Sequence, residues 1–241
     1  PEDIFHIVRD FAFPAIQHMK NGHLPDFDAS GKLIPLPDET GEKGNAFATF
    51  MADASFVIPT PKVLERIVTG LEDLYTHDIE DKDMQGDLYE YMLSKLQAAG
   101  QNGQFRTPKH IREMMVELMA PTPADSICDP ACGTAGFLVS SAQYITAHYG
   151  DTMTDSDWTY YKETMFHGFD TDQTMLRISA MNLMLHGIIH PCIAYQDSLS
   201  KQNQTESAYT LCLANPPFKG SIDAESIHEK LKAVTNTKKT E

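Results

Sequence analysis

Long hydrophobic runs are missing from this sequence, and so is an N-terminal segment in which basic residues precede apolar ones. A transmembrane helix needs a run of about 18 apolar residues, and residues 1–5 do not resemble the start of a signal peptide. We therefore expect no interaction with a membrane. The first residue is Pro1 rather than methionine, so we expect the 241 residues to be part of a longer protein.

Basic residues are also scarce. The chain has 19 Lys and Arg against 34 Asp and Glu, which gives a formal net charge of -15. Because affinity for nucleic acid comes mainly from cationic side chains, this balance argues against a self-sufficient DNA-binding protein. If the substrate is DNA, a local basic patch or a partner must supply the attraction.

Cysteines are few and irregularly spaced, at positions 128, 132, 192 and 212. This spacing does not match a disulfide framework. A zinc site would need a second cysteine pair or histidines at ligand spacing, so we interpret Cys128 and Cys132 as small residues around a turn. We predict no metal site, and a reducing cytoplasm fits this cysteine content.

The first hundred residues are predicted to be mainly helical, with a loop rich in Gly, Pro and Asp between residues 21 and 45. Apolar residues recur at helical spacing from Pro61 and again between Asp83 and Ala99. The second of these helices should bury Leu88, Tyr91, Met92 and Leu96. The segment 100–103 is a flexible break, and it separates a helical region (residues 1–100) from a second domain (residues 101–241).

After this break the sequence predicts a helix that begins at Pro108, with Thr107 as its cap. Its expected buried stripe is Ile111, Met114, Met115, Leu118 and Met119. Strands are then predicted at 126–128, 165–169, 193–195 and 209–214, and helices at 136–148 and 173–186. Alternation of this kind is typical of an α/β fold with a parallel sheet. Ligands of such sheets bind at the carboxyl ends of the strands.

A turn containing two glycines follows the first predicted strand, in the segment Asp129 to Leu138. Gly133 and Gly136 allow a tight turn and a close approach of a ligand, and the amides at the start of the next helix favour an anionic group. The spacing differs from the Gly-x-Gly-x-x-Gly of dinucleotide-binding proteins. A plain strand-to-helix turn is the alternative interpretation.

Acidic residues follow the next two strands. Asp170 could accept hydrogen bonds from both hydroxyls of a ribose, or it could cap the following helix, a role that Asp172 fills equally well. Asp197 follows the third strand, where an acid could meet the amino group of an adenine.

The tetrapeptide Asn215-Pro216-Pro217-Phe218 follows the last predicted strand. Two consecutive prolines lack N–H donors and cannot continue a central strand, so they form a rigid exit from the sheet. Asn215 offers a carboxamide oxygen at the carboxyl edge, and Phe218 offers a flat apolar face.

These segments resemble the amino-methylating DNA methyltransferases, and most closely the modification subunit of type I restriction-modification systems. The matching segments are Gln104 to Lys109, Asp129 to Leu138, Met181 to Gly187 and Asn215 to Phe218, preceded by Asp87 to Tyr91. The resemblance implies a Rossmann-like methyltransferase sheet, truncated on its C-terminal side and preceded by the helical region.

The same resemblance implies S-adenosylmethionine as cofactor and adenine N6 in DNA as methyl acceptor, with the base flipped out of the duplex. Cofactor binding is implied for Gln104, Phe105, Arg106, Thr107, Pro108, Lys109, Asp129, Gly133, Thr134, Ala135, Gly136, Asp170 and Asp197. Catalytic roles are implied for Asn215, Pro216 and Phe218. Asn215 Oδ1 and the Pro216 carbonyl would accept hydrogen bonds from the amino group, and Phe218 would stack on the base. Arg106 and Asp170 replace an aromatic residue and a Glu that are usual in the family.

Three other functions remain open at this stage. The first is a protein methyltransferase acting on glutamine, in which the Asn-Pro-Pro-Tyr/Phe motif recurs because a glutamine amide nitrogen poses the same geometric problem as an adenine amino group. A non-catalytic module that binds cofactor and docks a specificity subunit is the second, and a nicotinamide-dependent oxidoreductase is the third. The resemblance implies a separate specificity subunit and admits a restriction subunit. It also implies further strands after residue 241, so we expect the chain alone to be inactive.

Overall fold

The computed structural model describes residues 2–19, 23–36, 51, 54–77, 82–98, 106–216 and 225–234. None of the helices in these segments is long and apolar enough to cross a membrane. The chain divides into two compact units, Pro1–Gln85 and Gly86–Glu241. The boundary predicted after residue 100 falls outside the described residues and stays a prediction.

The first unit combines helices with one small hairpin. Its described elements are α1 (Glu2–Ile7), a π-helical turn (Val8–Ala12), α2 (Phe13–Gln17), β1 (Asp26–Phe27), β2 (Leu33–Ile34) and α3 (Pro61–His77). β1 and β2 pair antiparallel inside the segment that was predicted to be a loop. Helix α3 confirms the helix predicted from residue 61, and Leu64 is buried on it.

The second unit alternates helices and strands as the sequence predicts. Its described elements are α4 (Lys82–Ala98), which begins in the first unit, α5 (Lys109–Met119), β3 (Ile127–Asp129), α6 (Gly136–Tyr149), α7 (Asp155–Glu163), β4 (Phe166–Asp170), α8 (Gln173–Leu185), β5 (Cys192–Tyr195), β6 (Leu211–Cys212) and α9 (Glu229–Val234). Helix α7 was not predicted. It begins with a capping box between Thr154 and Asp157.

Strands β3 to β6 form one parallel sheet in the order β5-β4-β3-β6. Ile127 pairs with Phe166 on one side and with Leu211 on the other, so β3 lies in the middle. The carboxyl end of β3 is therefore flanked by the carboxyl ends of β4 and β6. The predicted α/β class with a parallel sheet is confirmed.

The core lies where α6 and α8 pack on β3 and β4. Ile127, Leu138, Leu176 and Leu183 are completely buried there, and each such side chain stabilises the fold by about 1.5–3 kcal/mol. Asp172 caps the start of α8 by accepting hydrogen bonds from two backbone amides. Gly187 ends the helix with a positive φ of 83°. These local signals explain why α8 follows the predicted bounds so closely.

Two predicted buried faces are wrong. On α4, Tyr91 and Met92 are 58% and 48% exposed, and the side chain of Leu96 lies outside the description. On α5, the exposed residues include Met114, Leu118 and Met119, whereas Arg112 and Val116 are buried. Instead, Glu90 on α4 and Arg112 on α5 face each other and form an ion pair, which hydrophobic periodicity cannot reveal.

Candidate active site

The turn after β3 approaches β4 closely. The amide of Cys132 donates to the carbonyl oxygen of Phe169 over 2.9 Å, and Gly133 and Ala135 adopt left-handed conformations with φ of 52° and 60°. Glycine adopts this conformation readily, whereas an alanine there is strained. The backbone of the turn is thus folded tightly at the carboxyl edge of the sheet.

Asp170, the last residue of β4, holds this turn through its carboxylate. Oδ2 accepts a hydrogen bond from the amide of Gly133, and Oδ1 accepts one from the amide of Asp172, both at 2.9 Å. Each carboxylate oxygen has a second lone pair, so Asp170 can still accept two hydroxyl donors. Because Asp172 caps α8, the carboxylate of Asp170 is not needed as the cap.

Asp129, the last residue of β3, is in a different environment. It is only 2% exposed, and its Oδ1 accepts a hydrogen bond from the amide of Ala131. Burial and, to a smaller degree, the nearby charge of Asp170 raise the pKa of Asp129 to about 7, despite the lowering effect of that hydrogen bond. Asp129 therefore stabilises the turn through this hydrogen bond, and its carboxyl group is shielded from solvent.

Asp197 lies after β5 and is exposed. Its Oδ1 accepts a hydrogen bond from the amide of Leu199 over 3.0 Å. The neighbouring Ser198 donates to the carbonyl oxygen of Pro130 over 2.6 Å, which joins this turn to the one after β3. A cavity of about 260 Å³ lies beside this contact; its lining includes Cys128, Pro130, Phe169, Ser198, Tyr209 and Cys212.

A buried ionic network supports the turn from the helical side. The carboxylate of Glu90, on α4, accepts hydrogen bonds from Arg106, from Arg112 over 3.0 Å and from Asn182 over 2.7 Å. Burial alone would raise the pKa of Glu90, but Arg112, Arg106 and the Asn182 hydrogen bond lower it below its usual value. Glu90 is therefore a charged carboxylate with three partners.

Two members of this network also contact Thr134. Asn182, on α8, donates to the carbonyl oxygen of Thr134 over 2.8 Å, and Arg106 Nε donates to the Thr134 hydroxyl over 3.1 Å. The space at Gly136 is filled by Arg112, whose Cδ would lie 2.9 Å from an added Cβ. The turn is thus held on one side by Asp170 and on the other by the Glu90 network.

Asn215 lies beyond β6 and forms a long-range contact. Its Nδ2 donates to the hydroxyl of Thr107 over 2.9 Å. Thr107 does not cap α5 as predicted, since Pro108 is the N-cap residue and no side-chain capping bond forms there. The predicted cap is wrong because Pro108 occupies the N-cap position, and the Thr107 hydroxyl accepts a hydrogen bond from Asn215 instead.

Asp170 and Asn215 lie on opposite flanks of β3. Asp129 is level with Gly168 on β4, and Cys128 is level with Cys212 on β6. Asp170 ends β4, and Asn215 follows β6 by three residues, so both are at the carboxyl edge of the sheet. Two strand spacings, or about 10 Å, separate β4 from β6.

Several predicted site residues are not gathered here. Gln104, Phe105 and Phe218 fall outside the described residues. Lys109 is exposed and lies 3.7 Å from a carboxylate oxygen of Asp87 and 3.9 Å from one of Glu113. Their roles, and those of the other site residues, stay predictions. Within the described segments no cluster of three or more His, Cys, Asp or Glu could hold a metal ion.

Glu90 and Arg112 were missed as members of the site. Glu90 lies four positions after Gly86 and three before Leu93, which are both buried on the same face of α4. Helical spacing from Gly86 could have indicated this inner face. No comparable local signal marks Arg112, because its partner is 22 positions away in the chain.

Comparison with known proteins identifies the family. The model of the N-6 DNA methylase family matches residues 80–241, which is more than half of the chain. The chain belongs to the N-6 DNA methylase family. Among curated relatives, it is 27% identical to the methylase subunit of the type I restriction enzyme EcoEI of Escherichia coli, over 87% of this chain and 42% of the relative. The methylase subunit of HindI from Haemophilus influenzae is 34% identical, over 57% of this chain and 29% of the relative.

Among solved structures, this N-6 DNA methylase resembles a type I restriction enzyme modification subunit from Vibrio vulnificus. The TM-score is 0.66 at 25% identity, and the match covers 90% of this chain and 45% of that subunit. The chain thus spans less than half the length of these relatives. The residues that the family model matches include both the turn after β3 and the Asn215 segment.

Proposed function

We propose that the protein containing this chain transfers a methyl group from S-adenosylmethionine to adenine N6 in DNA, as the modification subunit of a type I complex. The observation that carries this proposal is that Asp170 and Asn215 lie at the same carboxyl edge of the sheet, on the two flanks of β3. A ribose acceptor and an amino-group acceptor that follow strands about 10 Å apart suit a nucleoside cofactor and a base that must react with each other.

The residues on the β4 side fit the cofactor. S-adenosylmethionine would supply an electrophilic methyl group on a sulfonium. The free lone pairs of Asp170 suit the two ribose hydroxyls, and the left-handed Gly133 leaves its backbone without a side chain that would cover it. Thr134, held by Arg106 and Asn182, keeps the turn in a fixed position before the cofactor binds.

The residues on the β6 side fit the amino group of a base. Asn215 Nδ2 is occupied by Thr107, so Oδ1 is the carboxamide atom left for a donor. Oδ1 and the Pro216 carbonyl would accept the two N6 hydrogens and orient the nitrogen lone pair toward the methyl carbon. Phe218 would stack on the flipped base, with a contribution of about 1–3 kcal/mol.

Two variants separate these roles. In the full-length protein with its specificity subunit, Asn215→Ala should abolish methyl transfer and leave S-adenosylmethionine affinity nearly unchanged, because it removes only the acceptor for the base. Asp170→Ala should mainly weaken cofactor affinity. Sequencing that detects N6-methyladenine in DNA measures the first effect, and calorimetric titration measures the second.

The exposed Gln202 offers a control, since Gln202→Ala also removes a carboxamide and should change neither quantity. Loss of cofactor affinity in Asn215→Ala, with the transfer rate per bound cofactor preserved, would contradict the catalytic role. Methylated glutamine in a protein, without methylated adenine, would favour the glutamine methyltransferase instead. The relatives are methylase subunits of restriction enzymes and so favour DNA.

Partners are part of this proposal. The net charge of -15 leaves DNA attraction to a specificity subunit, which would also select the target sequence. A restriction subunit is the further partner that a type I complex would include. The reaction would take place in the cytoplasm, a compartment that suits the four free cysteines.

A further inference from the structure

The hydrogen bond between Thr107 and Asn215 joins two segments that are 108 positions apart in the chain. Thr107 precedes α5, and Asn215 follows β6. Both residues are half-buried, so their bond is partly protected from competition by water. The two segments otherwise belong to different parts of the proposed site, the cofactor side and the base side.

A carboxamide can rotate by half a turn and exchange its oxygen for its nitrogen with almost no change in shape. With Nδ2 on Thr107, Asn215 presents Oδ1, an acceptor that suits an amino group. In the rotated state, Nδ2 would face the amino group, and two sets of N–H donors would meet. The Thr107 hydroxyl can accept from Nδ2 or donate to Oδ1, so it is compatible with both states. The hydrogen bond fixes the place of the carboxamide, and the amino group of the base selects the state in which Oδ1 faces it.

We propose that Thr107 is a positioning residue for methyl transfer, which holds the Asn215 carboxamide in place at the sheet edge, where Oδ1 can accept from the amino group of the base. This inference rests on the proposed role of Asn215. It assigns the Thr107 hydroxyl to placement of the base-binding side chain rather than to direct cofactor contact. Thr107 acts through Asn215 and touches neither reactant in this role.

The test compares Thr107→Val and Thr107→Ser in the full-length protein assembled with its specificity subunit. Valine keeps the shape and removes the hydroxyl, whereas serine keeps the hydroxyl. The measured quantities are the single-turnover rate of methyl transfer to duplex DNA containing the target site, and the Kd for S-adenosylmethionine by calorimetry. Thr159→Val is the matched control, because the exposed Thr159 hydroxyl donates to the carbonyl oxygen of Asp155 within α7.

We expect Thr107→Val to lower the single-turnover rate by about 10- to 100-fold, with the Kd changed less than about twofold. Thr107→Ser should recover most of the rate, and Thr159→Val should match the wild type. A weakened Kd with an unchanged rate at saturating cofactor would overturn the inference and make Thr107 a cofactor contact. An unchanged rate and Kd would overturn it as well.

Failure of the proposed function gives a different result. If the wild-type complex methylates another amino group, such as a cytosine or a glutamine amide, the adenine proposal fails. A slower rate for Thr107→Val on that acceptor would still support the positioning role, because a carboxamide held in place is needed for any amino group. A wild-type complex that binds cofactor and DNA but transfers no methyl group would overturn both.

Discussion

At the scale of single residues, two aspartates at the ends of adjacent strands differ because of their surroundings. Asp170 accepts two backbone amides and keeps lone pairs for further donors. Asp129 is buried, and its pKa is raised to about 7. One carboxyl group keeps acceptor capacity at the sheet edge, and the other makes the stability of the fold depend on pH.

The pH dependence of Asp129 has a definite sign. The unfolded carboxyl has a pKa of about 4, so between about pH 4 and pH 7 the folded state binds more protons than the unfolded state. The free energy of unfolding must therefore fall as pH rises through this window. Between pH 5 and pH 8 we expect Asp129 to account for a loss of about 2–3 kcal/mol.

Asp129→Asn tests this prediction in urea denaturation at both pH values. Asparagine retains the oxygen that accepts the Ala131 amide, so only the titration is removed. The difference in stability between wild type and variant should change with pH in the stated direction. If that difference is the same at pH 5 and pH 8, Asp129 is not the group that titrates.

At the scale of elements, the Glu90 network connects α4, α5, α8 and the turn after β3. Glu90 and Arg112 have side chains that are 12% and 4% exposed, so their ion pair lies largely in a low dielectric. Removal of one partner from a buried ion pair leaves the other charge unpaired and costs about 3–5 kcal/mol. The helices are therefore held together by one carboxylate rather than by an apolar seam alone.

Glu90→Gln should lower the free energy of unfolding at neutral pH by about 3 kcal/mol and should weaken S-adenosylmethionine binding, because Thr134 loses its support. Glu113→Gln is the control, since that exposed residue forms only a loose pair with Lys109 and should cost less than about 0.5 kcal/mol. Denaturation and calorimetry measure the two effects. Equal stability of the two variants would mean that the network contributes nothing to the fold.

The sign for Glu90 is opposite to that for Asp129. Its pKa is lowered in the folded chain, so its contribution is present above its ordinary pKa and is lost as pH falls through the lowered value. Glu90→Gln should accordingly become less costly in acid.

At the scale of the whole molecule, the sequence predicted the features that local signals encode. The predicted bounds of α6, α8 and strands β3, β4 and β5 lie within one residue of the observed ones, whereas the strand predicted at 209–214 forms only at Leu211–Cys212. The Glu90 network was not predicted because its partners are 16, 22 and 92 positions away. For the same reason the hydroxyl of Thr107 was assigned to the nearest helix instead of to Asn215.

The overall charge predicts weak DNA binding by this chain alone. With a net charge of -15, the 241-residue chain should show little salt-dependent affinity for duplex DNA. The proposed complex of the full-length protein with a specificity subunit should bind, and its affinity should fall as salt rises. Fluorescence anisotropy over a salt series checks both statements. Tight, salt-sensitive binding by the chain alone would show that a basic patch within it suffices.

The position of β6 in the sheet also has a consequence for folding. Thr210 bonds to Ser126 across 84 positions, more than twice the separation between paired residues of β3 and β4. Because closure of long loops slows folding, β6 should join the sheet late. Hydrogen exchange should therefore protect the amides of β3 and β4 before those of residues 211–213 during refolding. Asn215 follows directly, so the proposed base-binding side of the site would be the last part of the sheet edge to form.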